Sequence, residues 1–567
     1  MIKGIPVSEG YAIGAVYQWH EMQLDTSKKI ISNPHHEMTF LRDTIHKTVA
    51  QLLSLKEKSK GIYGEETAKI FEAHLLIAQD PEMILAIEQK ITNESCNMLY
   101  ALKFVSDHYV MMFENLDDEY LKERALDIID VRNRMIRNAL NLSPDEMVLP
   151  EKEMILVAHE LTPSQIASLD LKYVKGFITQ TGGKTSHSAI MSKLVGLPAI
   201  MGLDDAFTLL KDQQEIIMDG FTGEVLSDYN KETYHTYIYR RDQYLKYKES
   251  LKRLISEPTQ SQDGHRYILS GQIGSSKDVH QVLEQGADGI GLFRTEFLFI
   301  NRLTAPSEEE QFIEYKSVLE MMGDKPVVIR TIDLGGDKKT PYLKFKEDLN
   351  PSLGIRAIRL SLYQQDVIYM QLRALIRASI FGQLKIMFPM VASLEDIHMI
   401  KQWVSDIHSE FDALGITYKK VPLGIMIEIP SAALMADEFA KHVDFFSIGT
   451  NDLIQYTFAA DRTSQDLDYL YRPFSPAIIR LIHMAAKAAK DHHIPISVCG
   501  EMASDHLAVP LLLGMGIDEL SMSPSQILKS KDFVIKHHHS VFQYASEYVL
   551  KCSTEKEILK YLKDNFN

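Results

Sequence analysis

The spacing of apolar positions changes character several times along this chain. Residues 1 to about 20 alternate over short stretches broken by glycine, as in Gly10-Tyr-Ala-Ile-Gly14, which predicts short strands. From about 34 to 142 glycine nearly vanishes, and apolar residues recur at spacings of three and four. Ile70, Phe71, His74, Leu75 and Ile77 are an example, the pattern of a helix with one buried face. Asp80-Pro81 marks a break between helices, and Asn141-Leu-Ser-Pro144 an end. Alternation with glycines returns from 147 to 228, in Met154-Ile-Leu-Val157, Gly176-Phe-Ile-Thr179 and Glu215-Ile-Ile-Met218. The simplest reading is a small α/β domain made of 1–20 and 147–228, with an all-α bundle, 21–146, inserted. A charged, tyrosine-rich helical stretch, 229–260, then leads through Glu257-Pro258 to the remainder, 261–567.

That remainder holds eight strand-like segments: Tyr267–Gly274, Gly289–Thr295, Val327–Asp333, Lys385–Met390, Leu423–Ile429, Phe445–Thr450, Pro495–Glu501 and Glu519–Pro524. Most are separated by enough chain for a helix. Eight strands over about 300 residues fit a (β/α)₈ barrel, whose chemistry sits at the strands' carboxyl ends. Polar residues fall at those ends: Arg294 and Glu296, Arg330 and Asp333, Glu428, Asn451 and Asp452, Cys499 and Glu501.

Composition narrows the class. The 567 residues suffice for about three domains, and 45% hydrophobic with 24% charged is an ordinary soluble balance. A net charge of -16 argues against a nucleic-acid partner and suits basic partners or a metal-neutralised anion. Cys96, Cys499 and Cys552 are too few and too scattered for a disulfide framework, which points to a reducing compartment. The chain has no apolar run of about 18 residues and opens without a signal-like h-region, so a cytoplasmic protein is expected.

The candidate chemistry lies in the polar strand ends. Arg294, Arg330, Arg356 and Arg462 carry forks suited to phosphate or carboxylate oxygens, although each alone also fits a surface ion pair. Glu428 and Asp452 are hard oxygen ligands of the kind that hold Mg²⁺ with substrate oxygens; carboxylates at a barrel mouth also serve proton transfer. Together they imply a small anion bearing phosphate and carboxylate, chelated through a metal. Cys499 either donates a proton there or simply packs. In Gln180-Thr-Gly-Gly-Lys-Thr-Ser-His187, a lone histidine sits among small polar residues where a loop turns into a helix. A solvated side chain and a reactive one both fit that setting.

Several segments, in order, resemble enzyme I of the phosphoenolpyruvate-dependent sugar phosphotransferase system. They are Gly182-Gly-Lys-Thr-Ser-His187, Gly291-Leu-Phe-Arg-Thr-Glu-Phe-Leu-Phe299, Arg330-Thr-Ile-Asp-Leu-Gly-Gly-Asp-Lys338, Asn350-Pro-Ser-Leu-Gly-Ile-Arg356, Glu428-Ile-Pro-Ser431, Gly449-Thr-Asn-Asp-Leu453 and Cys499-Gly-Glu501. The resemblance covers essentially the whole chain and implies roles. His187 matches the histidine that takes the phosphoryl group from phosphoenolpyruvate and passes it on. Arg294, Arg330, Arg462 and Asn451, with Asp452, match the substrate-binding set. Glu428 and Asp452 match the Mg²⁺ ligands, Cys499 the acid that yields pyruvate, and Arg356 a further active-site arginine. A homodimer through the barrel is also implied.

Two departures stand out: Lys184 where the family usually has arginine, and Glu160-Leu-Thr-Pro-Ser164 where it has aspartate first. The helical insert carries Phe71-Glu-Ala-His-Leu75 and Glu123-Arg-Ala-Leu-Asp-Ile-Ile-Asp130, similar to the family's partner-binding and linker motifs. Between Gly61 and Asp130 there are 15 Asp/Glu against 5 Lys/Arg, which suits docking of the small phosphocarrier protein HPr. Pyruvate phosphate dikinase and phosphoenolpyruvate synthase share the histidine domain and barrel but carry a nucleotide-binding domain for which this chain has no room. A non-catalytic phosphoenolpyruvate sensor is the other alternative, and the joint presence of His187, Glu428, Asp452 and Cys499 argues against it.

Overall fold

The structure, a computed structural model, describes residues 2–20, 24–63, 65–114, 119–142, 149–183, 187–300, 302, 304–336, 340, 342–343, 350–461 and 465–566. It divides into two compact units, Met1–Lys248 and Glu249–Asn567.

The first unit is built on a sheet of β1 (Ile2–Lys3), β2 (Ile5–Ser8), β3 (Tyr11–Gln18), β4 (Met154–Ala158), β5 (Val174–Thr179), β6 (Ala199–Met201), β7 (Glu215–Asp219) and β8 (Glu224–Leu226). Their order is β1-β8-β7-β3-β4-β5-β6-β2, with β3 to β6 parallel. Every residue of β4 is buried because both faces of the sheet are covered. Met154, Leu156 and Ala158 pack with Phe177 on one face, and Ile155 and Val157 with Val16 and Ile216 on the other.

The chain leaves this sheet after β3 and returns at β4, its parallel neighbour. In between it builds α1 (Pro34–Tyr63), α2 (Glu65–Ala78), α3 (Pro81–Glu94), α4 (Met98–Glu114) and α5 (Glu119–Ala139). Leu41, Leu52, Phe71, Ile87, Leu102 and Val131 are among the residues of their common core. Each such side chain, fully buried, contributes roughly 1.5–3 kcal/mol. The break read at Asp80-Pro81 is a helix start: the Asp80 carboxylate accepts the Met83 N–H at 2.7 Å and Pro81 takes the first helical position.

Among the described residues four further helices follow, α6 (Pro163–Ser168), α7 (His187–Val195), α8 (Ala206–Leu209) and α9 (Lys231–Lys252), the last running past the boundary of the unit. The tyrosines of α9 pack on the sheet domain, with the Tyr244 ring 5.1 Å from Phe221 and the Tyr237 ring 5.9 Å from Tyr11.

In the second unit, β9 (Ile268–Ile273), β10 (Gly289–Arg294), β11 (Pro326–Arg330), β12 (Gln383–Phe388), β13 (Leu423–Ile427), β14 (Phe445–Ile448), β15 (Ile496–Val498) and β16 (Glu519–Met522) form a closed parallel barrel, β16 pairing with β9. All eight overlap the segments read from the sequence. Helices sheathe the outside, with Tyr315, Leu372, Ile397, Ile478 and Leu511 in the surrounding core. Inside, Leu292, Val328, Met387, Met426, Phe445 and Cys499 fill the lumen. The barrel is therefore a packed core and its chemistry must lie at an end.

Candidate active site at the mouth of the barrel

Successive strand side chains face opposite sides, so a residue two beyond a lumen residue faces the axis again. Two beyond Leu292 is Arg294, two beyond Val328 is Arg330, and two beyond Met426 is Glu428. The alternation that packs an apolar plug thus sets polar groups over it, at the strands' carboxyl ends. Asn451 and Asp452 join them from the first turn of the helix Thr450–Phe458, which follows β14, and Cys499 directly follows β15.

Arg330 is 6% exposed; its Nη2 donates to Glu296 Oε1 at 2.5 Å and lies 3.2 Å from Asp333 Oδ2. Arg356, 3% exposed, forks twice. Its Nε and Nη2 donate to the two Asp333 oxygens at 2.8 and 3.0 Å, and Nη1 and Nη2 to those of Asp452 at 3.0 and 3.3 Å. Tyr456, one helical turn beyond Asp452, accepts from Arg356 Nη1 at 3.3 Å and donates to Ser352 O at 2.6 Å. Burial alone would depress both arginine pKa values. The neighbouring carboxylates outweigh it, Glu296 and Asp333 for Arg330, Asp333 and Asp452 for Arg356, so both stay charged. Gly335 lets the backbone pass close: its φ is 108°, and a Cβ there would stand 2.2 Å from Ile355 O, beside the Gly335–Arg356 bridge.

Glu428 is 1% exposed. Its Oε1 accepts the Met390 N–H at 2.6 Å, presented by a left-handed Met390 φ of 59°. Its Oε2 has no hydrogen-bond partner among the described residues. Burial, then Asp452 and Asp333, push its pKa up to about 8, against the pull of Arg356 and Arg330. Glu296, Asp333, Glu428 and Asp452 thus crowd around two buried guanidiniums, leaving negative charge in excess. No group of three or more His, Cys, Asp or Glu is set to hold a metal among the described residues. The pair Glu428 and Asp452, with one buried oxygen unsatisfied, instead fits a divalent cation that fills its shell with substrate oxygens.

Arg294 is exposed at the rim, its Nη2 donating to Gln272 Oε1 at 2.6 Å. The Asn451 amide is oriented by Glu501, donating to its Oε1 at 3.1 Å and accepting its N–H at 3.0 Å. Cys499 is a free thiol, 4% exposed, and burial pushes its pKa up, so it stays protonated at neutral pH.

Arg294, Arg330, Arg356, Glu428, Asn451, Asp452 and Cys499 therefore gather at one mouth. Arg462 lies outside the described residues, as do Lys184, Thr185 and Ser186. His187 is described by its backbone, which opens α7 after β5 and a turn containing Gly182, whose φ is 105°. In the bundle, Phe71 and His74 are wholly buried. His74 Nε2 lies 3.2 Å from Asp127 Oδ1 and Nδ1 lies 3.8 Å from Asp130 Oδ2, so the two sequence motifs meet inside the bundle. Three site residues were not singled out from the sequence: Gln272, Met390 and Tyr456. Only Tyr456 carried a signal, its i,i+4 spacing from Asp452.

Family models match three stretches: the N-terminal region of PEP-utilising enzymes over residues 3–124, their mobile domain over 150–223 and their PEP-binding domain over 248–539. The phosphoenolpyruvate-protein phosphotransferase of Priestia megaterium is 43% identical over 567 residues, covering 100% of this chain and 99% of the relative. Those of Mycoplasma capricolum and Bacillus subtilis are 44% and 43% identical, each covering 100% of this chain and 99% of the relative. An NMR solution structure of enzyme I, 34% identical, covers 43% of this chain and 99% of that one, with a TM-score of 0.36.

Proposed function

This chain belongs to the family of phosphoenolpyruvate-protein phosphotransferases, enzyme I of the sugar phosphotransferase system, and on that premise we propose how its residues divide the reaction. The enzyme moves the phosphoryl group of phosphoenolpyruvate onto protein, releases pyruvate, and hands the group to HPr. We assign acceptance to His187. A neutral imidazole nitrogen attacks phosphorus as the bond to the enol oxygen breaks, and the resulting phosphoramidate remains reactive enough to pass the group on. Arg294, Arg330 and Arg462, with the Asn451 amide, bind and orient the phosphate; Arg356 holds Asp333 and Asp452 in place beside them. Cys499, held as a thiol by burial, gives its proton to the methylene carbon of the departing enolate, which becomes the methyl of pyruvate.

Glu428 and Asp452 would hold a divalent cation, Mg²⁺ in our assignment, which neutralises charge on the substrate's phosphate and carboxylate oxygens. The observation that carries this reading is the single mouth at which arginines, two buried carboxylates and a protonated thiol converge. We assign 1–20 and 147–228 to the phosphohistidine domain, 21–146 to HPr docking, 229–260 to the linker, and 261–567 to phosphoenolpyruvate binding and dimerisation. The acidic balance of the bundle supports the docking assignment. A cytoplasmic location suits three free cysteines, and no helix among the described residues is long and apolar enough to cross a membrane. Labelled phosphoenolpyruvate with Mg²⁺ should leave one acid-labile phosphate, at His187. Full labelling of His187→Ala would end the assignment.

A further inference from the structure

Gln272, in β9, reaches across the mouth to three neighbours. Its Nε2 donates to the carbonyl oxygens of Cys499 at 2.8 Å and Ser521 at 2.7 Å, and its Oε1 accepts from Arg294 Nη2 at 2.6 Å. Only one orientation of the amide satisfies all three, since the reverse would set oxygen against two carbonyls and nitrogen against a guanidinium. Both N–H groups are therefore committed to backbone, and the carbonyl is aimed at one arginine. Strand register fixes the reach: Gln272 pairs with Leu292, two residues before Arg294, while β16 and then β15 lie on its other side.

We propose that Gln272 is a positioning residue that aims the rim guanidinium of Arg294 at the phosphoryl oxygens, using the backbone of Cys499 and Ser521 as its anchor. The proposal rests on the reading of Arg294 as a phosphate ligand. An exposed arginine on its long stem loses rotamer entropy when it is fixed. Gln272 imposes much of that order before substrate arrives, so binding is tighter. Because Cys499 contributes one anchoring carbonyl, the arginine is also fixed relative to the strand end that bears the thiol.

The test is a double-mutant cycle on the full-length enzyme, reading KM for phosphoenolpyruvate and kcat with HPr as acceptor. Gln272→Met keeps length and removes both polar functions. It should raise KM about tenfold with kcat within about threefold, yet add less than about twofold to KM when Arg294→Met is already present. Gln272→Asn keeps both functions one methylene short and should move KM in the same direction; it carries the test if the methionine variant does not fold. An equal factor in both Arg294 backgrounds, or an unchanged KM in the single variants, overturns the proposal. If Arg294→Met itself leaves KM unchanged, the phosphate-ligand reading of Arg294 falls first, whatever Gln272 does.

Discussion

Replacing Glu428 by glutamine should abolish a proton that the enzyme otherwise releases when it binds a divalent metal. Glu428 is buried beside Asp452 and Asp333, and its pKa is pushed up to about 8. At pH 7 it is therefore about nine-tenths protonated, and a metal must displace that proton to use both oxygens. Titration of Mg²⁺ into the full-length chain, in buffers of differing ionisation enthalpy, should show release of about 0.9 proton per metal at pH 7 and about 0.1 at pH 9. The apparent affinity should fall on the order of a hundredfold between pH 9 and pH 6. The sign for stability follows from the same shift. A carboxylate whose folded pKa is raised holds its proton better folded than unfolded, so it favours the fold below the unfolded pKa of about 4.5, and that contribution is lost as pH rises toward 8. The loss is on the order of 3–5 kcal/mol for the barrel unit without metal. Glu428→Gln should flatten both profiles. A wild-type enzyme that releases no proton at pH 7, or a folded glutamine variant that keeps the pH slope, would show that Glu428 does not carry the displaced proton.

Cys499→Ala should slow pyruvate formation by about 10²–10⁴-fold while His187 still accepts phosphate back from phospho-HPr, read by solvent-deuterium entry into the pyruvate methyl. Arg356→Met removes the guanidinium that bonds both oxygens of Asp452 and should tighten Mg²⁺ binding about tenfold by calorimetry, even as it lowers turnover. His74→Phe leaves Asp127 and Asp130 buried without their imidazole. It should destabilise the helical bundle by about 3–5 kcal/mol, seen as a lower first melting transition with the barrel transition unchanged.

The barrel was legible because its strands are short apolar runs closed by polar residues. Val327 to Asp333 shows both the run and the end where chemistry sits. The excursion between β3 and β4 was legible too, because alternation stops and resumes around a helical period. Contacts between distant residues were not. Arg356 and Asp452 are 96 positions apart, and nothing local announces that one guanidinium braces two carboxylates. Gln272 looked like any polar residue near a strand end, since its role is a lateral reach that only strand order creates. The three-four pattern grouped His74 with Phe71 correctly, but the partner-binding resemblance of that motif hid its place in the buried seam with Asp127. Tyrosines scattered over a charged segment read as a connector; their fit against Tyr11 and Phe221 depends on how the sheet folds.

In the proposed division, loading and unloading use different parts of one chain: the barrel mouth serves phosphoenolpyruvate alone, and His187 serves both exchanges. Asp452→Asn tests it in one paired labelling measurement. Phosphate uptake on His187 is followed from labelled phosphoenolpyruvate with Mg²⁺ and, in parallel, from labelled phospho-HPr. Uptake from phosphoenolpyruvate should fall by several orders of magnitude, of the size expected for losing a metal ligand, while uptake from phospho-HPr stays within about twofold of wild type. A folded variant that loses both exchanges together, or keeps both, would contradict the division.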